Sequence, residues 1–496
     1  MGNTAIRTLP EPDTVLPKNR GLYFGGAWHE AGGGRTFEGF SPGNGSSLGM
    51  VADATEEDVS AAIAAAHAAF PDWAGTAPLE RARILRELAA IIRANATELA
   101  LLDAIDCGNP VRAMTGDAAI ATAQIELFAG FVTEMKGASI PMGPGRLNVS
   151  VREPLGVVAR ISPFNHPFMF AAAKIAAPLA AGNTVLIKPP EQAPLSALRL
   201  AELAGHLFPP GVFNVITGSS RDVGAWMVAD PRVAKTGLIG SVAAGRAVMQ
   251  ASAALLKPVL LELGGKNALI AFADTDPEAV AQAMIAGMNF AWCGQSCGST
   301  SRAFLHEDIH DEVLGHLARQ IGAFRPGPPE RWETSMGALA SKAQFERTLR
   351  YIDIGKAEGA TLFSGGKQPE GDGLENGYFV EPTVFTDVTT DMVIAREEIF
   401  GPVLSVLRWR DEKTMLADVN ALDLGLTCSI WTRNFDTALR VATSVEAGYV
   451  WVNEVSRHFV GAPFGGKKQS GLGREECIEE MLSFTELKNI HMRFGN

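Results

Sequence analysis

Val157-Val-Ala-Arg-Ile161, Thr184-Val-Leu-Ile187, Phe213-Asn-Val-Ile216, Thr236-Gly-Leu-Ile239 and Val259-Leu-Leu261 are five short β-rich runs. Each ends in turn residues, and the segments between them, near 168–181, 194–207, 221–229 and 243–255, read as helices. Strand–helix–strand alternation of this kind predicts a parallel sheet with right-handed crossovers. Ligands in such α/β sheets bind beyond the carboxyl ends of the strands. A second alternation follows: strand at 268–272, helix at 276–290, strand at 303–305, helix at 308–322, then strands at 404–407, 428–431 and 449–452. The Pro- and Gly-rich stretches 324–333 and 363–377 read as surface loops of this second region. Upstream, Thr55-x-x-Asp58 opens a helix over 55–70 as a capping box would. Apolar residues at helical spacing (Ile84, Leu85, Leu88, Ile91, Ile92) predict one helix over 79–104, and 148–161 reads as strand.

A chain of 496 residues is long enough for two or three domains. The formal net charge of -12 repels nucleic acid and anionic membrane, so neither is an expected partner. Five scattered cysteines (107, 293, 297, 428, 477) suit a reducing cytoplasm better than a disulfide framework. No second Cys or His pair accompanies Cys293 and Cys297 at ligand spacing, so no metal is expected. The first twenty residues carry acids and prolines and no apolar core, unlike a secretory signal. The most apolar stretch, 168–181, is interrupted by Lys174 and Pro178 and is too short to cross a bilayer.

Three groups carry chemistry. Cys297 lies in Cys293-Gly-Gln-Ser-Cys297-Gly-Ser, among residues too small and polar for core packing, which suits a reactive thiol. Glu262 follows the apolar run Val259-Leu-Leu261 and reads as a carboxylate in a small-residue turn. Asn165 stands between prolines in Pro163-Phe-Asn-His-Pro167. Thiol, carboxylate and amide suffice for chemistry at a carbonyl carbon: attack, proton transfer and an oxyanion donor. Each also has a plain reading, as a small buried hydrophobe, a misplaced loop acid and a turn cap. Gly240-Ser-Val-Ala-Ala-Gly245 follows a strand and opens a helix, where free amides suit a pyrophosphate or simply make a turn. Lys188-Pro-Pro-Glu191 ends another strand, at a place that suits ribose hydroxyls or a solvated turn.

Seven strings then stand in one order: Pro163-Phe-Asn-His-Pro167, Lys188-Pro-Pro-Glu191, Gly240-Ser through Gly245, Glu262-Leu-Gly-Gly-Lys266, Gly294-Gln-Ser-Cys297, Arg396-Glu-Glu-Ile-Phe-Gly-Pro402 and Pro463-Phe-Gly-Gly-Lys467. With them the chain resembles the NAD(P)-dependent aldehyde dehydrogenase superfamily along nearly its whole length. The resemblance implies a Rossmann-type cofactor domain (1–132 and 153–262), an α/β catalytic domain (263–479), and a β-hairpin oligomerisation arm with a tail (133–152 and 480–496). It implies a homodimer or homotetramer acting on a small-molecule aldehyde, with NAD as cofactor and NADP as the alternative.

The same resemblance implies roles for single residues. Cys297 matches the nucleophile, Glu262 the general base and Asn165 the oxyanion amide, while Lys174 and Glu475 match supporting positions. Lys188 and Glu191 match adenosine-ribose contacts, and Gly240, Ser241 and Gly245 the pyrophosphate turn. Glu398, with Phe400 beside it, matches the nicotinamide-ribose contact, and Gln344 a second one. Phe164, His166 and Ala173 depart from the residues frequent there, which implies an altered entrance and a wider pocket. Thr-Gly-Leu-Ile-Gly-Ser241 also departs from the usual Phe-Thr-Gly-Ser. Phe170, Trp292, Phe459 and Phe464 are candidates for an apolar funnel, and Arg457 and His458 for meeting a carboxylate-bearing aldehyde. The competing readings are a CoA-acylating dehydrogenase, a thiol hydrolase and a structural protein on the same fold.

Overall fold

The computed structural model describes residues 9–371 and 373–494. The reading of the N-terminal leader thus falls partly outside the described residues, as do position 372 of the 363–377 loop and the last two residues of the tail. Two sheets organise the chain. The first has eight strands, in the spatial order Ala27–His29, Leu22–Phe24, Phe213–Val215, Thr184–Lys188, Val157–Ile161, Val233–Gly240, Val259–Leu263 and Gly471–Leu472. The five predicted runs are its parallel centre. Numbered along the chain they lie 3-2-1-4-5, the doubly wound order with its switch point between Val157–Ile161 and Val233–Gly240. Thr184–Lys188 is buried throughout because parallel sheets are covered on both faces, which is why its sequence runs apolar rather than alternating.

The second sheet has seven strands, in the order Thr361–Ser364, Thr383–Thr386, Val403–Trp409, Arg302–His306, Ala268–Ala271, Thr427–Trp431 and Tyr449–Val452. Its first pair is antiparallel and the rest are parallel. Residues 363 and 364, read as loop, end its edge strand. Gly471–Leu472 carries the chain back from this region onto Val259–Leu263 of the first sheet.

Several expected boundaries move for identifiable reasons. The helix over 79–104 is two, Pro78–Ala94 and Ala96–Cys107. They part at Asn95, whose amide donates to the Ile91 carbonyl and so ends the first helix. The 168–181 segment also splits, at Lys174 and Ile175. The 148–161 strand is two strands in different sheets. Arg146–Pro154 is the middle strand of a three-stranded antiparallel sheet, between Ser139–Pro141 and the C-terminal strand Thr485–Arg493. The expected arm therefore begins at Ser139 rather than 133, and the tail is its third strand. The helix Glu56–Gly75 does start with the full capping box at Thr55 and Asp58.

Candidate active site

Cys297, Glu262 and Asn165 line two cavities at once, one on either side. The first, of about 360 Å³, opens at the switch-point end of the doubly wound sheet and is also lined by Gly240, Ser241, Gln344, Glu398 and Phe400. The second, of about 150 Å³, is mainly apolar and contains Phe170, Trp292, Trp451 and Phe464.

Each member of the shared group is held by its surroundings. Glu262 is not in a turn, as its neighbours suggested. It is the fourth residue of Val259–Leu263, with side chain buried, and the strand extends two residues further than its apolar run. Cys297 lies in the loop between the turn Phe290–Trp292 and the strand Arg302–His306. The Asn267 side-chain amide donates to the carbonyls of Cys297 (2.7 Å) and Ser299 (3.0 Å), and the Thr427 hydroxyl to that of Gly298 (3.1 Å). Asn165 is buried, and its carbonyl accepts from the Asn109 amide at 2.6 Å. Cys293 is wholly buried, with its thiol on the Gly337 carbonyl at 3.1 Å, and it lines neither cavity.

The decisive contact is between the two reactive groups. The Cys297 thiol donates to Glu262 Oε1 at 2.8 Å. Burial, and then the Glu262 charge, push the thiol well above its ordinary value. Burial, and then the Glu475 carboxylate, push Glu262 up in turn, against the pull of Lys174. A carboxylate that holds its proton more readily than usual is suited to take one near neutral pH. Lys174 lies behind this group and reaches neither cavity. Its ammonium pairs with Glu475 at 2.9 Å, and Glu475 pairs with Arg160 at 2.8 Å, all three buried. Burial alone would raise Glu475, but the two cations outweigh it and hold the acid well below the usual range.

On the larger cavity, Ser241 caps the helix Val242–Ala253, its hydroxyl accepting from Ala244 N at 3.2 Å. The amides of the helix's first residues have no intrahelical acceptor, which fits a phosphate. Gly245 serves packing: its amide donates to the Ser241 carbonyl, and a Cβ would lie 2.5 Å from Leu263 Cδ1. It does not line the cavity. Glu398 Oε1 accepts from Gly265 N at 3.1 Å, and burial pushes this acid up to about 7. A Cβ on Gly264 would meet the Glu398 carboxylate at 2.0 Å, so any larger residue there would displace that acid. Phe400 adopts φ 58, which non-glycine residues avoid. The Gln344 amide holds that strained segment, donating to the carbonyls of Ile399 (2.9 Å) and Phe400 (2.7 Å). Lys188 is buried at its strand end, with its ammonium on the carbonyls of Pro189 and Gly218, and Glu191 is exposed nearby.

The smaller cavity differs from expectation. Phe459 and Arg457 are exposed, Arg457 pairing with Glu454, and neither lines it. Ala173 is buried in the core and opens onto no cavity. His458 does line it, beside Glu476 at 3.2 Å, and so do Trp451, Asp117 and Gln124, which sequence reasoning passed over. The available signal for the last two was polar side chains seven apart on an otherwise apolar helix face.

Comparison with known proteins identifies the family. The sequence profile of the Aldehyde dehydrogenase family matches residues 28–490. The chain is 48% identical to aldehyde dehydrogenase tropH of Talaromyces stipitatus, over 98% of this chain and 96% of the relative. It is 42% identical to betaine aldehyde dehydrogenase of Mesorhizobium japonicum, over 92% and 93% of the two chains. Its fold superimposes on the NAD+ complex of an aldehyde dehydrogenase from Bacillus cereus with a TM-score of 0.95, at 38% identity, covering 99% of this chain and all of that one. The chain belongs to the aldehyde dehydrogenase family and is an oxidoreductase.

Proposed function

We propose that this enzyme, which oxidises an aldehyde to a carboxylic acid with NAD, works through a covalent intermediate on Cys297. The observation that carries the reading is the 2.8 Å thiol–carboxylate contact at the junction of the two cavities. The aldehyde enters the smaller cavity and the cofactor occupies the larger one. Glu262 takes the thiol proton as Cys297 sulfur adds to the carbonyl carbon. The Asn165 amide and the Cys297 backbone N–H hold the oxyanion of the resulting thiohemiacetal. Bound NAD supplies the hydride acceptor that turns this adduct into a thioester. Glu262 passes the thiol's proton on to solvent and, as a carboxylate again, takes a proton from water, which attacks the thioester and releases acid and thiolate. Water as acceptor is favoured over CoA because the base is present and buried beside the sulfur. Ser241 and Gly240 would hold the pyrophosphate, Lys188 and Glu191 the adenosine ribose, and Glu398 the other ribose, with Gln344 shaping the Phe400 segment. Lys174 and Glu475 tune Glu262 from behind. Mass spectrometry of Glu262→Gln enzyme after one turnover tests the mechanism: an acyl group on Cys297 is expected, and an unmodified thiol after cofactor reduction would overturn it.

The enzyme acts as a homodimer or homotetramer in the cytoplasm, where its five free cysteines stay reduced. The support is the three-stranded arm, whose edge strand Ser139–Pro141 is exposed and which shows Ile140, Met142, Val151, Leu487 and Ile490 to solvent. The chain groups as a cofactor domain (1–132 and 153–262), a catalytic domain (263–479) and the arm with its tail. No described helix is long and apolar enough to cross a membrane. Light scattering coupled to size exclusion checks the assembly. A particle of the chain's own 52.6 kDa at micromolar concentration would overturn it.

A further inference from the structure

The smaller cavity is mainly apolar, but two residues that line it carry hydrogen-bonding groups without a partner among the described residues. Gln124 is buried on the helix Val111–Phe131, on the same face as Asp117 and Ile120, and all three line the cavity. Its Oε1 has no partner among the described residues, and neither has the indole N–H of Trp292 across the same cavity. Buried polar groups are ordinarily paired, so an unpaired acceptor and an unpaired donor on two residues of one cavity wall point to a ligand that supplies both complements. His166 adds a third group. Its Nδ1 is taken up by Asp117 at 2.9 Å, which leaves Nε2 as the ring nitrogen without a partner among the described residues, and its ring packs edge-on against Trp292 with centroids 4.6 Å apart.

We propose that the enzyme's aldehydes carry a neutral hydroxyl group remote from the carbonyl, read by Gln124, His166 and Trp292. This rests on the reading of Cys297 as the nucleophile at the end of the same cavity. A hydroxyl donates once and accepts readily, matching one acceptor and one indole donor. A carboxylate cannot donate to Gln124, and the lining holds no Lys or Arg to neutralise it. Its only cationic candidate besides His166 is His458, which already faces Glu476. A quaternary ammonium neither donates nor accepts, and of the three carboxylates in the lining Asp117 and Glu476 face histidines while Glu262 accepts from the Cys297 thiol. The cavity's size agrees, since about 150 Å³ lined by aromatic and aliphatic groups accommodates a benzene-sized ring. The substrate class is therefore a hydroxylated aromatic or similarly compact unsaturated aldehyde.

The test compares kcat/KM with NAD for benzaldehyde, its 3-hydroxy, 4-hydroxy, 4-methyl, 4-methoxy and 4-carboxy derivatives, and hexanal. At least one hydroxybenzaldehyde should exceed benzaldehyde by about 10-fold or more, because a site built to bond a hydroxyl rejects the analogue lacking it. The 4-methoxy compound, electronically close but unable to donate, should not share the preference. In Gln124→Met and His166→Phe the ratio of hydroxylated to plain substrate should collapse toward one. A ratio is unaffected by partial loss of active enzyme, and two separate variants guard against misfolding of either. Equal efficiencies in the wild type, preference for the carboxy compound, or ratios unchanged in both variants would overturn the inference. So would oxidation of hexanal with none of the benzaldehydes turned over. Failure of folded, NAD-binding enzyme to oxidise any of these compounds would instead undo the reading of Cys297.

Discussion

The two cavities that meet at Cys297 are built differently. The larger combines main-chain features (the carboxyl end of Val233–Gly240, the cap at Ser241, the turn at Gly264 and the left-handed segment at Phe400) with the side chains of Arg221, Gln344, Arg347 and Glu398. The smaller is formed by side chains from parts of the chain distant in sequence, among them Asp117, His166, Trp292, Trp451 and Glu476. A cofactor shared by many enzymes is suited to a backbone cradle, whereas selection among aldehydes depends on side chains that can vary without disturbing the sheets. Between the two, Cys297, Glu262 and Asn165 belong to both.

That division is open to attack at the seam first. Cys297→Ala should lower turnover by roughly 10⁴-fold or more while NAD still binds, because the covalent step needs the sulfur but the cradle does not. Turnover, followed by reduced-cofactor absorbance, and NAD affinity, by calorimetry, should separate cleanly. Near-normal turnover would remove Cys297 from the chemistry, and loss of both together would mean the seam is not a boundary. Glu262→Gln should slow turnover by roughly 10²- to 10⁴-fold, acting on the water step more than on hydride transfer. A stoichiometric burst of reduced cofactor followed by a slow steady state is the expected trace. In the native enzyme the base works only when deprotonated, so kcat limited by deacylation should rise with pH. Because Glu262 is shifted upward, that rise should lie above the ordinary glutamate value of about 4.3. No burst in the variant, with a flat native profile, would assign Glu262 to the thiol alone.

Behind the seam, Glu475→Gln leaves Arg160 and Lys174 buried without their shared partner and should cost about 3–5 kcal/mol of stability. Glu475 is held below its unfolded value, so its contribution is present above that value and lost as pH falls through the lower folded one. Denaturation of variant and parent should thus converge in acid and diverge near neutral pH. A constant difference at all pH values would show that the ion pairs contribute little. On the cofactor side alone, NAD should exceed NADP in kcat/KM by about 10-fold or more, because a 2′-phosphate brings like charge toward Glu191. Equal or better use of NADP would show that Lys188 dominates that end of the cradle. The same exchange should leave the preference among aldehydes unmoved if the two cavities act independently.

The cradle was the more legible half because its residues come in short contiguous strings. Gly240-Ser241 and Glu262 through Gly264 sit at strand ends, and strand ends can be placed from periodicity; Lys188 with Glu191 also ends a strand but lines neither cavity. Even there, local pattern misled at Glu262, which looked like part of a glycine turn yet continues its strand, paired in register with Ile239 and Gly471. Gly245 was the converse case: part of a turn-like string, but needed against Leu263. The aldehyde cavity was read less well. Phe459, close in sequence to the right residues, is turned out to solvent, while Asp117 and Gln124, some 170 residues or more from Cys297 in sequence, are in it.

By itself, the sequence determined the doubly wound alternation and the family, and it singled out the thiol, carboxylate and amide that share one seam and the Gly240-Ser241 turn beside it. All of these follow from local periodicity or from short strings whose chemistry is carried by adjacent residues. Only the tertiary structure decided that Glu262 touches the thiol directly, that Lys174 stands behind it on Glu475 rather than in a cavity, and that the C-terminal strand completes the arm. It also decided which side chains line the smaller cavity. Burial and proximity across hundreds of residues set those contacts and the shifted proton affinities, and neither is encoded in any one window of the chain.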